Sequence, residues 1–194
     1  MHKKDMLPSG DDKRTAPQAW TVVSSEYLIR RPWLTARKDH VRLPSGVENT
    51  EYWVLEYPAW VNVIAVTTDG RIVMEQQYRH GLGITAYELP AGVVEAGEEP
   101  LAAAQRELLE ETGYTGGEWQ LLTVLSPNAS ACSNLNYSFV ATGVEHTSTQ
   151  HLEPTEDISV QLMQPDEVRR LLRTDAIKQA LMAAPLWKYF ATRI

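Results

Sequence analysis

One short segment constrains this 194-residue chain more than any other: residues 100–111 have helical spacing and are set between strand-like runs on both sides. Pro100 stands where a helix tolerates proline, at its first position, and Gly113 stands just past the end, where a left-handed residue closes the last turn. Before this segment, β-branched and apolar residues come in short runs at 21–23, 52–55 and 61–66, with turn signals between them. Asp69 and Gly70, between 61–68 and 71–77, form the strongest hairpin signal because both positions tolerate positive φ. Pro44, Ser45 and Gly46 mark a further turn. Strand-like runs resume at 119–125, 137–141 and 158–163, and a helical tail follows from Pro165, which Pro185 is expected to break or kink. Strands on both sides of a helix, with more helix at the end, imply an α/β layered domain with a mixed sheet. The expected organisation is a flexible tail at 1–18, an N-terminal β region at 19–57 and a main domain at 58–194. The N-terminal strands are expected to form a small antiparallel sheet or to pair with another copy of the chain, so a homodimer is expected.

Charge narrows the partners. With 18 basic and 25 acidic residues the formal charge is −7, which offers no global attraction for a nucleic-acid backbone or an anionic membrane. Neither is expected as a partner, and an anionic substrate would need metal ions or a few placed Arg and Lys side chains. The single cysteine, Cys132, excludes an internal disulfide, no Cys/His cluster has zinc-ligand spacing, and a reducing cytoplasm fits. Residues 1–18 are polar, with no apolar core of signal-peptide length, and no run approaches the roughly 18 apolar residues of a membrane span.

The helical segment also carries the chemistry. At about 100° per residue, Glu107, Glu110 and Glu111 project from one face, and Leu101, Ala104, Leu108 and Leu109 are expected on the opposite, packed one. Like charges at i,i+3 and i,i+4 cost a helix roughly 0.2–0.5 kcal/mol per pair, and the dipole disfavours anions near the C-terminus. A cation should compensate. Hard divalent ions such as Mg²⁺ take oxygen ligands and bridge one or two carboxylates to phosphates, while Arg106 can hold Glu110 at i,i+4. The competing reading, a solvated acidic face, is what most such runs are. Against it stands the spacing of seven residues: Gly92, Glu98, Arg106, Glu107, Glu110, Glu111 and Gly113.

Those seven positions match the Nudix box, G-x5-E-x7-R-E-U-x-E-E-x-G-U, with Tyr114 in place of the usual final aliphatic residue, so the chain resembles the Nudix hydrolases. The resemblance implies an α/β/α sandwich, dependence on Mg²⁺ with Mn²⁺ as a substitute, and hydrolysis of nucleoside diphosphates linked to another group. Carried over by position, it implies Glu107 and Glu111 as principal metal ligands, Glu110 assisting, the Ala91 carbonyl as a backbone ligand, and Glu98 supporting the loop or binding a further ion.

The flanking residues Glu88, Leu89, Pro90 and Ala91, with Glu75 to Arg79 upstream and Ser126 and Pro127 downstream, resemble the ADP-ribose and nucleoside diphosphate sugar pyrophosphatases. Pro127 comes slightly early and is followed by Asn128 rather than glycine, a departure that weakens the resemblance for ADP-ribose specifically and leaves other nucleoside diphosphate sugars, or a relaxed specificity, open. The subfamily exchanges an N-terminal sheet across a homodimer. Arg79, at the end of an apolar strand, is expected to contact the diphosphate bidentately, with Glu88 beside it. Trp33, with Arg37 nearby, is expected to stack on a base. A general base must reach the attacking water, and the loop at 153–158 is its expected source. Glu156 matches one of the subfamily's two glutamates there and Pro154 replaces the other, so Glu153, Glu156 and a box glutamate such as Glu110 remain open. Arg106 completes the candidate catalytic set by holding Glu110. The rival readings are hydrolysis of a nucleoside triphosphate, dinucleotide or coenzyme A derivative, and a Nudix domain that senses nucleotide sugars without cleaving them.

Overall fold

The computed structural model describes residues 16–192, so all but the last three positions of the expected tail at 1–18 lie outside the described residues. Strands β1 (Thr21–Arg31), β2 (Leu34–Arg42) and β3 (Glu48–Glu56) form an antiparallel three-stranded sheet in sequence order. Its first connection is a two-residue turn of Pro32 and Trp33, flanked by paired Arg31 and Leu34. Its second is the turn at Pro44 to Gly46, closed by the Gly46 amide donating to the Leu43 carbonyl at 2.9 Å. The sheet is stitched to the rest of the molecule at β3, where the Leu55 amide donates to the Ala131 carbonyl (2.7 Å) and the Tyr52 hydroxyl to the Ser130 carbonyl (2.6 Å).

The second sheet contains β4 (Trp60–Thr67), β5 (Ile72–Arg79), β6 (Ile84–Glu88), β7 (Ala91–Val93), β8 (Tyr114–Leu125), β9 (Asn136–His146) and β10 (Ile158–Met163). Its order is β10-β5-β4-β9-β8, with β6 paired to β5 and β7 to β4. The β4–β9 pairing is parallel and the rest are antiparallel. β4 is buried from Val61 to Thr67 and is apolar but for Asn62 and the terminal Thr67, because both of its faces are covered. Val61, Val63 and Ala65 point to one side, where helix α1 (Pro100–Thr112) supplies Ala103, Ala104 and Leu108. Ile64 and Val66 point to the other, against Val168 and Leu172 of α2 (Pro165–Arg173) and Met182 and Leu186 of α3 (Ala180–Thr192). The expected mixed sheet between helical layers, with a small antiparallel sheet beside it, is therefore the architecture.

Two local expectations need correction. Pro185 does not break the tail: the interruption falls at 174–179, and Pro185 lies buried inside α3. Proline has no amide to give the carbonyl of residue i−4, here Leu181, and that carbonyl instead accepts from the side-chain amide of buried Asn62 at 2.7 Å. A donor from β4 thus offsets the main cost of the proline. The packed face of α1 also differs. Leu101 is 40% exposed, because the first turn emerges from the exposed loop at 95–99, whereas Glu111 is only 5% exposed and lies on the buried side with Ala104 and Leu108.

Candidate active site

The loop between β7 and α1 is built around one guanidinium. Arg106 forks onto Glu98 through Nε and Nη2 (both 3.0 Å), donates from Nη2 to the Val93 carbonyl (2.9 Å), and from Nη1 to Glu107 (2.7 Å) and Glu110 (3.1 Å). Glu98 closes the loop by accepting from the Glu95 amide at 3.0 Å, and the hydrogen bonds from Arg106 and from that amide hold its carboxyl below the usual range. Glu98 is therefore occupied in supporting the loop, and the donors of Arg106 serve protein acceptors.

Gly92 is required where it stands: a Cβ there would sit 2.1 Å from the Glu107 carboxyl carbon, so the absence of a side chain lets the carboxylate lie against the β7 backbone. Gly113 ends the helix at φ 74° and would place a Cβ 2.0 Å from the Ser148 carbonyl oxygen, which fixes the strand following α1 against the loop at 147–151. That loop is pinned further by Gln150, whose amide donates to the Glu111 carbonyl at 2.7 Å, and by the His151 amide, which donates to the Glu110 carbonyl at 2.8 Å.

These contacts produce a cleft of about 240 Å³ that brings together Ala91, Glu107, Glu110, Glu111, Glu153 and Glu156, with Arg106 at its edge and the ring of Trp33 on its rim. Trp33 is 73% exposed. Glu111 reaches back to accept from the Ala91 amide at 2.8 Å. Glu153 and Glu156 share a tight turn in which the Glu153 amide donates to the Glu156 carboxylate at 2.8 Å. Across the β7 strand lies a larger cavity of about 610 Å³, sharing Ala91, Gly92 and Val93 with the first and lined also by Trp60, Arg79 and Met182. Arg79 enters it as a fork on Glu88, with Nε at 2.9 and 3.0 Å from the two carboxylate oxygens. Both oxygens of Glu88 face Arg79, so Glu88 orients the guanidinium. Arg37 is placed elsewhere: it lies on β2, paired with Asp39 at 3.0 Å and with Glu56, and lines neither cavity.

Negative charge is concentrated beyond what these arginines neutralise. Burial, joined by the charge of Glu75, pushes the Glu111 carboxyl upward, and burial also raises Glu107 against the pull of Arg106. Glu75 enters the sequence resemblance only as the start of the Glu75 to Arg79 stretch, with no role assigned to it. Its signal was a charged residue directly after the apolar run Ile72, Val73 and Met74, and in the fold it is 3% exposed and raised by burial and by the charge of Glu88. Gln150 and His151 lie in an irregular loop and carried no signal. Among the described residues, no group of three or more Asp, Glu, His or Cys side chains is arranged to hold a metal ion. The donor set is all oxygen, rich in carboxylate and open to a cleft, which fits a hard divalent cation that keeps water ligands and uses one or two carboxylates.

Comparison with known proteins identifies the family. The NUDIX domain model matches residues 57–184, and the nucleoside diphosphate sugar hydrolase N-terminal domain model matches residues 20–55. The chain is 32% identical over 174 residues to an ADP-ribose pyrophosphatase of Mycobacterium tuberculosis, covering 88% of this chain and 84% of that protein. It is 35% identical over 120 residues to an ADP-ribose pyrophosphatase of Bacillus subtilis, covering 62% and 64% respectively. A crystal structure of an ADP compounds hydrolase superposes with a TM-score of 0.80 over 92% of this chain and 96% of that one, at 22% identity. The chain belongs to the Nudix hydrolase family.

Proposed function

We propose that the protein is a Mg²⁺-dependent pyrophosphohydrolase that cleaves nucleoside diphosphate sugars of the ADP-ribose type into a nucleoside monophosphate and a sugar phosphate. One observation carries the reading: a carboxylate-lined cleft and an arginine-bearing cavity meet along β7, so a diphosphate can lie at the acidic floor while the groups on either side of it extend along both. Glu107, Glu111 and the Ala91 carbonyl, with Glu110 assisting, hold the cation, and Mn²⁺ substitutes for Mg²⁺. When bound, the ion offsets the diphosphate charge and activates water. Arg79, oriented by Glu88, binds a diphosphate oxygen. Arg106 positions Glu98, Glu107 and Glu110 and does not touch substrate. Glu156 takes the proton of the attacking water; its charge is felt by Glu75, Glu107 and Glu111, whereas Glu153 is exposed at the rim. Trp33, at the rim of the cleft, stacks on the base.

The two units divide near Tyr57, and the first serves assembly. Every residue of β1 is exposed, including Val22, Val23, Tyr27, Leu28 and Ile29. Such a surface suits burial against a second copy, giving a homodimer, which sedimentation at micromolar concentration would reveal. We place the protein in the cytoplasm on its single cysteine, Cys132; no described helix is long and apolar enough to cross a membrane.

Incubating the purified protein with Mg²⁺ and a panel of ADP-ribose, other nucleotide sugars, dinucleotides, nucleoside triphosphates and coenzyme A derivatives tests the substrate class. Monophosphate products from the nucleotide sugars support it. Preference for another class replaces it, and binding without turnover would indicate a sensing domain.

A further inference from the structure

The large sheet splits along its middle. β4 and β5 are partners only at Val66 and Ile72; beyond that point β5 pairs with β6 from Glu75 to Arg79, and β4 pairs with β7 from Trp60 to Asn62. The cavity of about 610 Å³ occupies the gap between the two pairs. Arg79, assigned above to the diphosphate, contributes to its lining, so a group attached to that diphosphate is led into it. The remaining walls are largely apolar, with Trp60, Leu82, Val93 and Met182. A volume of this size is that of a site for a drug-sized molecule, more than a pentose needs.

Three polar residues and a tryptophan interrupt the apolar sheet here. Trp60 is in parallel register with Asn136 and Asn62 with Ser138, and residues two apart on a strand point the same way, so the four share one face. Asn136 is 2% exposed and lines the cavity. Its Nδ2 donates to the Ser138 hydroxyl at 3.1 Å, and its Oδ1 has no partner among the described residues. Asn62, also buried, uses its Nδ2 to hold the Leu181 carbonyl, which fixes the cavity wall at the start of α3, and its Oδ1 is likewise unpartnered. Buried amide oxygens without a hydrogen bond are rare, because nothing offsets their desolvation. At Asn136 a donor on a bound molecule can. Beside it the Trp60 ring is partly buried and steadied by Tyr57, with centroids 5.3 Å apart. An aromatic face next to a free amide oxygen is complementary to a flat nitrogenous ring, which stacks on the one and donates an amino hydrogen to the other, as adenine does to asparagine.

We propose that this cavity is a subsite for a second nitrogenous ring, with Trp60 as its stacking wall and Asn136 Oδ1 as its hydrogen-bond acceptor, and that dinucleoside diphosphates are therefore cleaved alongside nucleotide sugars. The inference rests on the reading of the cleft as a site of phosphoanhydride hydrolysis. One base lies on Trp33, the diphosphate crosses β7 beside Arg79, and the second nucleoside occupies the split between β6 and β7. Water adds to one phosphorus and the bond from that phosphorus to the bridging oxygen breaks. The bridging oxygen leaves with the other phosphate, giving two nucleoside monophosphates and releasing the two protons of the water.

Hydrolysis of diadenosine diphosphate and of ADP-ribose by the full chain with Mg²⁺, in wild type, Trp60→Leu and Asn136→Leu, tests this. Wild type is expected to convert diadenosine diphosphate to AMP with a kcat/KM within about tenfold of that for ADP-ribose. Each substitution should lower the ratio of the two kcat/KM values, dinucleotide over ADP-ribose, by about tenfold, because the ring loses its stacking or hydrogen-bonding partner and the smaller pentose loses less. Should circular dichroism show either variant unfolded, Leu82→Trp decides: at an exposed position of the β5–β6 turn it narrows the cavity and should lower the same ratio. A wild type that cleaves ADP-ribose but not diadenosine diphosphate overturns the second-ring subsite alone, as does an unchanged ratio in the folded variants. A wild type that cleaves no phosphoanhydride overturns the proposed function with it.

Discussion

The two sheets are built from similar residues and put to opposite use. Strand β4 is buried along nearly its whole length, with helices on both faces, whereas all eleven residues of β1 are exposed. Both strands are rich in the β-branched residues that favour extended chain, so propensity does not separate them. The helices do. Between β4 and β9 the parallel pairing sits under α1 on one side and under α2 and α3 on the other, while the β1–β3 sheet has no helical layer among the described residues. The large sheet is complete within one chain, and the small one offers a face that another surface must finish.

The strongest way to break this contrast is to truncate matched residues in the two sheets' layers. Leu108→Ala, at a fully buried position, should cost about 2–5 kcal/mol of unfolding free energy. Ile29→Ala on β1 should change it by less than about 0.5 kcal/mol in dilute, monomeric protein. Denaturant titrations compare them directly, and an Ile29 cost equal to that of Leu108 would show that β1 already has a buried face within one chain.

A smaller effect, confined to the large sheet's edge, is expected from Gly92→Ala. Its methyl group would displace the Glu107 carboxylate, lowering Mn²⁺ affinity by about 10–100-fold, the range seen when groups supporting a metal ligand are lost. Calorimetric titration would measure it, with Tm reporting that the sheet persists. The smallest effect concerns pH. The Glu98 carboxyl has a folded pKa below its ordinary value of 4.5 because Arg106 binds the ionised form. Its contribution is therefore fully present above pH 4.5 and is lost as pH falls through the lower folded pKa. Glu98→Gln should lower Tm at pH 7, with the difference from wild type shrinking toward pH 3; a constant difference would assign Glu98 a purely steric role.

Much of this fold was legible from residue order. The Asp69–Gly70 hairpin, the helix between Pro100 and Gly113, and the strand at Ile158–Met163 all depend on signals lying within a few residues of one another. What escaped depends on distance along the chain. Pro185 is tolerated inside α3 because Asn62 donates to the Leu181 carbonyl, 119 residues further along the chain, and no local pattern connects them. Strands β6 and β7, of five and three residues, are too short to show a period and are set by pairing with β5 and β4. The box residues announced themselves by spacing, but which way Glu111 faces was decided by the Ala91 backbone against which it lies. Arg37 shows the converse: a suggestive neighbour of Trp33 in sequence, it is held by Asp39, two residues further along β2, and by Glu56 on β3.

The most direct test of the central claim is the Mg²⁺ dependence of ADP-ribose hydrolysis by wild type and Glu111→Gln, with both proteins checked for intact fold. The account predicts that wild type releases AMP and ribose 5-phosphate only when the divalent ion is present, and that Glu111→Gln loses on the order of 10³-fold in kcat, corresponding to the several kcal/mol a bound ion contributes. Hydrolysis that survives chelation, or a Glu111→Gln variant with wild-type turnover, would contradict it.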